Sequence, residues 1–426
     1  MTASPSNTKP IGILAGGGQV PVEIADAISR RGDKVYLLAI DANASSLISA
    51  YPHDRISIGQ IGQMLGLFRH HRCRCLVIAG HLSRPDLSRL RLDLGFFIHL
   101  RTILSLLRGG DDGVLRRVIG FFERQDFVVV GIADVAPELL ASEGRLTGDE
   151  VAGSSMRDVS RGYELIRQLG SFDIGQAVVV RDGKVIAIEG VDGTDAMLGR
   201  LAEAGGESEA VADGTLIKAT KPGQELRIDL PTIGIATVAA CKKAGIATIA
   251  VEAGRSVIAE REATIELANQ NSVSILGFPV IEDIADLPKK AAANHKSFAC
   301  LTRHAATHKQ LLDAVKGRMA VATVSVHTTQ AAVIVARQHI LAVNAGEPLE
   351  AFIVRATKLR QWGDRRKRKS QGVLVLSSLA EMGDQKSLEA LVEARFAGIA
   401  INKPESIPPE FLIHADRLGL FVLVSE

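Results

Sequence analysis

Three polar motifs lie close together between residues 171 and 234, in a chain that is otherwise rich in aliphatic residues. They are SFDIGQAVVV, EGVDGTDAM and KATKPGQELRIDLPTIG. Each adds carboxylates, lysines or glycines that a packed α/β domain does not need for its core. Lysines close in sequence can clamp a diphosphate, and an aspartate with a pKa of about 3.9 is ionised at neutral pH and can hold magnesium. The segment is therefore predicted to handle an anionic ligand.

The third motif carries the residues best suited to diphosphate chemistry. Lys218, Lys221, Gln224 and Asp229 follow one another in the loop after a predicted strand. An ionised Asp229 suits metal binding, whereas work as a general base would need a raised pKa. The next residues predict a helix that begins near Thr232, whose N-terminus would add a positive dipole end.

The second motif places two more carboxylates at a predicted helix start. Capping is the ordinary role of Asp192, Thr194 and Asp195 at such a position, but capping needs only one of them. A second carboxylate, with Glu189 just before it, indicates metal coordination or contacts with sugar hydroxyl groups.

A glycine-rich loop, GILAGGGQVP, connects the first predicted strand to the first predicted helix. Backbone N–H groups of Gly16, Gly17 and Gly18 could receive a phosphate or nucleotide there. The loop is neither GxGxxG nor a Walker A motif, so a tight turn explains it equally well. Two further polar clusters, at residues 80–93 and 109–113, could contact phosphate or metal, or could solvate a loop and cap a helix.

The elements that must position these residues are those of a layered α/β protein. The chain has 426 residues, 46% hydrophobic and only 4% aromatic, with 40 glycines, and its length predicts two or three domains. Aliphatic strands such as IGILA and CLVIAG alternate with helical patterns, which predicts a Rossmann-like domain over residues 11–150 after a flexible tail at 1–10. A second α/β domain, predicted to be catalytic, covers residues 151–277.

Residues 278–426 are predicted to form a degenerate copy of the second domain. Residues 329–352 align with 175–197 if one residue is inserted, and QGVLVL and ARFAGIAI parallel later strands. The polar motifs are not repeated, since Glu189 becomes Asn344 and SLAEMGDQKS replaces the lysine loop. One catalytic site is therefore expected.

Composition also limits the partners and the location. A net charge of +2 argues against nucleic acid as a partner. The four cysteines form no disulfide framework, which favours a reducing cytoplasm, and no run approaches the roughly 20 apolar residues of a membrane span. Peripheral contact with a membrane and homodimerisation are compatible with these features.

Residues 11–277 resemble the LpxI-type UDP-2,3-diacylglucosamine pyrophosphatases of lipid A biosynthesis. The resemblance runs in order through IGILAGGGQVP, AGHLSRPDL, GGDDGVLR, FFERQDFVVVG, FDIGQAVVV, EGVDGTDAM, KATKPGQELRIDLPTIG and AGIATIAVEAG. It implies a hydrolase that uses Mg²⁺ or another divalent cation to cleave the nucleotide-sugar lipid into UMP and 2,3-diacylglucosamine 1-phosphate. It also places the essential aspartate of the family on Asp229.

Some residues depart from the pattern of that family. The family usually has Glu at position 192, Asp at 225 and Pro at 235, and its members usually end near residue 277. These differences leave open a non-catalytic regulator that binds a nucleotide sugar or lipid. A dinucleotide-dependent oxidoreductase ranks below both, because GxGxxG and a clear catalytic histidine are missing.

We assign site residues by combining the motifs with the resemblance. The predicted catalytic residues are Asp229, Lys218 and Lys221, and the predicted metal ligands are Asp192, Asp195 and Asp229. The predicted substrate-binding residues are Gly16, Gly17, Gly18, Gln19, Gln176, Glu189, Gly193, Thr194, Gln224 and Thr232.

Overall fold

The computed structural model describes residues 9–40, 44–81, 91–100, 103, 111–148, 153–205, 213–280, 297–328, 330–360, 371–382, 386–403 and 406–426. Most of the predicted tail at 1–10 lies outside these residues. So do most of the polar cluster at 80–93 and, in the cluster at 109–113, residues 109 and 110 and the side chains of Asp111 and Asp112.

The N-terminal domain is built on a five-stranded parallel sheet with strand order β3-β2-β1-β4-β5. Buried aliphatic runs form the three central strands because helices cover both faces of a parallel sheet. This order is that of a Rossmann half, as the sequence predicted. The strands are β1 (Ile11–Ala15), β2 (Val35–Ala39), β3 (His53–Arg55), β4 (Cys75–Ala79) and β5 (Val128–Val129). The helices are α1 (Val20–Arg30), α2 (Ile61–His70), α3 (Leu94–Ile98), α4 (Asp111–Glu123) and α5 (Ile132–Val135).

The middle domain has a six-stranded mixed sheet with order β6-β13-β11-β9-β7-β8. Its three central strands β13, β11 and β9 are parallel, while β6 and the β7–β8 hairpin run antiparallel to their neighbours. The strands are β6 (Gly144–Arg145), β7 (Ala177–Arg181), β8 (Lys184–Ile188), β9 (Gly214–Lys218), β10 (Thr232–Ile233), β11 (Ile246–Glu252), β12 (Val257–Ile258) and β13 (Ser274–Phe278), of which β10 and β12 form a separate parallel pair. The helices are α6 (Gly153–Leu169), α7 (Gly193–Gly205), α8 (Ile235–Lys243) and α9 (Arg261–Gln270).

The third domain has a second six-stranded sheet with the order β14-β19-β18-β17-β15-β16, and its strand directions match those of the middle domain one for one. Both hairpins also have a register irregularity at the corresponding place, Val179/Val180 in one and Ile334/Val335 in the other. The strands are β14 (Phe298–Cys300), β15 (Ala332–Ala336), β16 (His339–Asn344), β17 (Val373–Leu376), β18 (Gly398–Ile401) and β19 (Phe421–Ser425). The helices are α10 (His308–Val324), α11 (Leu349–Arg360), α12 (Lys386–Glu393) and α13 (Pro409–Arg417).

The middle and third domains share one hydrophobic core. Helix α6 packs on β7 and β9, helix α10 packs on β15 and β17, and the two helices contact each other between the sheets. Corresponding glycines permit this close packing, because a Cβ on Gly162 would meet Ile217 and a Cβ on Gly317 would overlap Val375. No helix among the described residues is both long and apolar enough to cross a membrane.

Candidate active site

The lysine loop between β9 and β10 is organised around the buried side chain of Gln224. The Gln224 Oε1 accepts a hydrogen bond from the Lys221 backbone N–H at 2.8 Å. Its Nε2 donates to the Asp229 backbone oxygen at 2.9 Å and to Asp229 Oδ2 at 2.8 Å. A single amide side chain therefore fixes the predicted catalytic carboxylate relative to the start of the loop.

Asp229 lies where the middle domain meets the N-terminal domain. Its neighbours Ile228 and Leu230 pack against two different core clusters of the N-terminal domain, one on each side of the parallel sheet. Arg227, just before them, forms ion pairs with Glu225 at 2.8 Å and with Glu123 of α4 at 3.0 Å. Hydrogen bonds from Arg227 lower the pKa of Glu225, so this carboxyl stays ionised. Asp229 is thus held from both domains.

Lys218 and Lys221 lie close together at the start of the lysine loop and have different partners. Lys218, at the end of β9, is buried and its Nζ donates to the Thr232 carbonyl oxygen at 2.9 Å. Lys221 Nζ forms an ion pair at 2.8 Å with Asp173, and only 10% of the Lys221 side chain is exposed. Asp173 follows the short turn after α6 with a left-handed backbone, φ 60°.

The buried carboxylate of Glu252 accepts hydrogen bonds from this loop. Glu252, at the end of β11, is 0% exposed. Its Oε2 accepts hydrogen bonds from the Thr220 backbone N–H at 2.8 Å and from Thr220 Oγ1 at 2.6 Å, and its Oε1 accepts one from Tyr163 at 3.3 Å. Arg255 lies 3.5 Å from the same carboxylate. These partners offset the cost of burying the charge and hold Thr220 between the two lysines.

The motif EGVDGTDAM lies beside the lysine loop. Glu189 accepts hydrogen bonds from Thr194 Oγ1 at 2.7 Å and from the Gln176 backbone N–H at 3.1 Å. The Gln176 carbonyl in turn accepts from Ala219 at 3.1 Å, which ties the motif to the residue after Lys218. The Gln176 Nε2 is buried and has no hydrogen-bond partner among the described residues, so it is a donor available to a ligand.

The two aspartates of this motif differ in their surroundings. Helix α7 begins at Gly193, as predicted. Asp192 Oδ2 is paired with Arg200, and only 12% of the Asp192 side chain is exposed. Asp195 is exposed. Burial raises the pKa of the Cys241 thiol to about 12, while the charge of Lys218 lowers it and that of Asp195 raises it, so both charges lie near this thiol.

The glycine-rich loop presents only part of its backbone to solvent. Gly16 and Gly17 are buried, and their N–H groups donate to the carbonyl oxygens of Ala79 and His81 at 2.8 and 2.6 Å. Gly18 is exposed and Gln19 is partly exposed at the N-terminus of α1. Of the four residues predicted here, Gly18 and Gln19 are at least partly exposed, and ligand binding by the four stays a prediction.

The helix predicted to begin near Thr232 is present, but it begins three residues later, at Ile235. Thr232 and Ile233 form β10, which pairs in parallel with Val257 and Ile258, and helix α8 begins only at Ile235. The pairing with a strand far along the chain outweighs the local helix pattern. Thr232 is exposed, and its carbonyl is the partner of Lys218.

The predicted magnesium ligands do not form a preassembled cluster. No group of three or more His, Cys, Asp or Glu side chains within the described ranges is arranged to hold a metal ion. Mg²⁺ commonly uses only one or two carboxylates together with substrate phosphates and water. Asp195 is exposed, one oxygen of Asp229 accepts a hydrogen bond from Gln224, and Asp192 is paired with Arg200.

Known proteins match the part of the chain that contains this site. Residues 10–139 match the model of the LpxI N-terminal domain, and residues 142–276, the middle domain here, match that of the LpxI C-terminal domain. The chain is 37% identical over 270 residues to the UDP-2,3-diacylglucosamine pyrophosphatase LpxI of Caulobacter vibrioides, covering 63% of this chain and 96% of that protein. This chain belongs to the LpxI family. The matched regions contain every residue that the sequence predicted for the site.

Sequence reasoning missed several residues of the LpxI-like site. Asp173 was within the motif SFDIGQAVVV but was not assigned, and its place in that polar motif was the available signal. Glu252 was a carboxylate at the end of an aliphatic strand, IATIAVE, which is unusual for a core strand. Tyr163 and Arg200 had no local signal, because their partners are known only from the fold.

Proposed function

We propose that this chain hydrolyses the diphosphate of UDP-2,3-diacylglucosamine to UMP and 2,3-diacylglucosamine 1-phosphate in lipid A biosynthesis. The observation that carries the proposal is the 37% identity to a protein of that name over 96% of its length. The placement of Asp229 on the same loop as the largely buried Lys218 and Lys221 supports it, because a site that had lost catalysis would not need to keep these charges. Nothing in the described residues favours the non-catalytic regulator.

In this proposal the chain's own residues orient the diphosphate and neutralise its charge. Lys218 and Lys221 would lie against phosphate oxygens, with Asp173 and the Thr232 carbonyl holding their Nζ atoms in place. Phosphoryl transfer needs mainly positioning and charge stabilisation, so this arrangement suits the reaction. Gln224 would keep Asp229 pointing at the reacting phosphate.

Asp229 and Asp195 are the carboxylates that would hold Mg²⁺ together with the substrate. When bound, the cation would supply positive charge to the diphosphate oxygens and order the attacking water. Water adds its oxygen to one phosphorus as the bond to the bridging oxygen breaks, and the protons leave to solvent. Gly18, Gln19 and the unpartnered Gln176 amide would bind the rest of the nucleotide sugar.

The acyl chains need an apolar surface outside the polar site. Helix α3 exposes Leu94 by 75%, Phe97 by 58% and Ile98 by 70%, which is unusual for such large apolar side chains. We propose that this surface contacts the acyl chains or the inner membrane from the cytoplasmic side. Homodimerisation stays a prediction from the sequence.

A phosphorus NMR assay of the purified full chain tests the function. With UDP-2,3-diacylglucosamine and Mg²⁺, we expect the diphosphate signals to be replaced by those of UMP and a sugar 1-phosphate. The variant Asp229→Asn, which keeps an acceptor for Gln224, should lose at least about 10³-fold in rate. The control Asp213→Asn neutralises an exposed partner of Arg181 on the same domain and should leave the rate unchanged. An unchanged diphosphate signal with the wild-type chain would refute the proposed reaction.

A further inference from the structure

Two equivalent ion pairs occur in the middle and third domains. Asp192 pairs with Arg200 just before and within α7, and Glu347 pairs with Arg355 just before and within α11. The spacing is eight residues in both. The third domain has lost the lysine loop and the counterpart of Asp229, yet it has kept this pair.

The Arg355 side chain is fixed and almost completely buried. Its Nη2 donates to Glu347 Oε2 at 2.7 Å and to the Val343 carbonyl at 3.2 Å, and its Nε donates to Glu347 Oε2 at 3.1 Å. The guanidinium also lies 5.2 Å from the centre of the Phe352 ring. Only 10% of the side chain is exposed. Such a guanidinium has little freedom to turn toward solvent.

One nitrogen of this guanidinium points out of the third domain and toward the motif EGVDGTDAM. The Arg355 Nη1 is buried without a hydrogen-bond partner among the described residues. It lies 3.7 Å from where a Cβ on Gly190 would be, and the same point is 2.9 Å from Asp192 Oδ1. Arg355 Nη1 and Asp192 Oδ1 are therefore separated by no more than the sum of 3.7 and 2.9 Å.

Asp192 Oδ1 is the matching acceptor. This atom is also buried and also has no hydrogen-bond partner in the described parts of the chain, while Oδ2 of the same carboxylate is held by Arg200. A buried donor and a buried acceptor of opposite charge, both otherwise unpaired, are costly apart and favourable together. One water molecule between the two fixed groups would satisfy both atoms.

Other contacts hold the middle and third domains together next to Asp192 and Arg355. Edge strands β8 and β16 lie side by side, and the Val185 backbone N–H donates to the His327 carbonyl at 3.1 Å. The backbone at Gly346 lies close to the Ile186 carbonyl. Strand β8 ends directly before Glu189, so the third domain contacts the strand that precedes the motif EGVDGTDAM.

We propose that Arg355 is a positioning residue for the reaction, and that the third domain completes the catalytic domain by holding Asp192 and the segment 189–195. Arg200 holds one oxygen of Asp192 from within the middle domain, and Arg355 holds the other from the third domain. Glu189, Thr194 and Asp195 are thereby kept in place beside the lysine loop. The kinetic part of this inference rests on the proposed function.

A double-mutant cycle in the full chain tests the coupling. Arg355→Ala should lower kcat/KM about tenfold in the wild-type background and less than about threefold in the Asp192→Asn background, because the partner is already changed. The control Arg318→Ala removes another third-domain arginine that lies over a ring, that of Phe298, and should leave kcat/KM unchanged. Equal effects of Arg355→Ala in both backgrounds, or none in either, would overturn the proposal.

Hydrogen exchange in the absence of substrate provides a readout that does not depend on turnover. Residues 189–195 should exchange faster in Arg355→Ala than in the wild-type chain or in Arg318→Ala, including the Gly193 N–H that donates to the Gly190 carbonyl at 3.1 Å. If the wild-type chain does not hydrolyse the substrate, the proposed function fails while this measurement still decides the role of Arg355. Unchanged exchange at 189–195 in Arg355→Ala would refute the role of Arg355 in holding this segment.

Discussion

Two buried threonines, one near the start of β9 and one just after its end, should respond in opposite ways to the same substitution. Thr220 Oγ1 donates at 2.6 Å to Glu252, which is fully buried. Thr215, on strand β9 just before, is also fully buried, but its hydroxyl has no hydrogen-bond partner among the described residues. Valine has nearly the same shape as threonine, so Thr→Val isolates the hydroxyl.

The expected free energies follow from what each hydroxyl does. Thr220→Val leaves the buried Glu252 carboxylate one donor short and should lower the free energy of unfolding by about 2 kcal/mol, since a hydrogen bond to a charged group contributes about 1.5–3 kcal/mol. Thr215→Val removes a buried hydroxyl that gains nothing from its burial and should raise the free energy of unfolding by up to about 1 kcal/mol. The two variants should therefore differ by about 2 to 3 kcal/mol.

Urea unfolding followed by far-UV circular dichroism measures this difference, provided that the m value is the same for both variants. The phosphorus NMR assay then gives a second comparison. Because Thr220 lies between Lys218 and Lys221, Thr220→Val should also lower kcat/KM, whereas Thr215→Val should not. Equal shifts in the two unfolding midpoints would refute the reasoning that Glu252 holds the lysine loop.

Three further predictions concern the site, the shared core and pH. Lys221→Met keeps an apolar stem but loses the charge beside Asp173, so kcat/KM in the NMR assay should fall at least about 100-fold; a near-normal rate would remove Lys221 from the site. Gly317→Ala pushes a methyl group into the stiff side chain of Val375 and should lower the free energy of urea unfolding by about 1–3 kcal/mol, whereas helix propensity alone predicts a gain. Burial lowers the pKa of His327, so the unfolded chain binds this proton more readily, and stability should be lost as the pH falls below about 6.5. Thermal midpoints at several pH values should show this loss in the wild-type chain, and an equal loss in His327→Gln would contradict it.

The layers of the fold could be predicted because they depend on local patterns. A parallel strand that is covered on both faces must be aliphatic, and this made β1, β2 and β4 recognisable. The third domain was predicted in the same way, from a framework of strands that repeats without its polar motifs. Its sheet has the same strand order as the middle domain, while gene duplication as its origin stays a prediction.

The details of the site depend on residues that are far apart in the sequence. Lys221 and Asp173, or Glu252 and Tyr163, come together only when the sheet has formed. The helix predicted to begin near Thr232 begins later, at Ile235, for the same reason, since the pairing of Thr232 with Val257 is not a local property.

The anchoring of Asp229 has a consequence for motion within the molecule. Ile228 and Leu230 are seated in the N-terminal domain, whereas Gln224 and the lysines belong to the middle domain, which the shared core joins firmly to the third. Any rotation that opened the N-terminal domain to admit a bulky lipid would either break the packing of Ile228 and Leu230 or pull Asp229 away from Gln224. The contacts that hold this carboxylate from both domains therefore exist together only in the closed molecule.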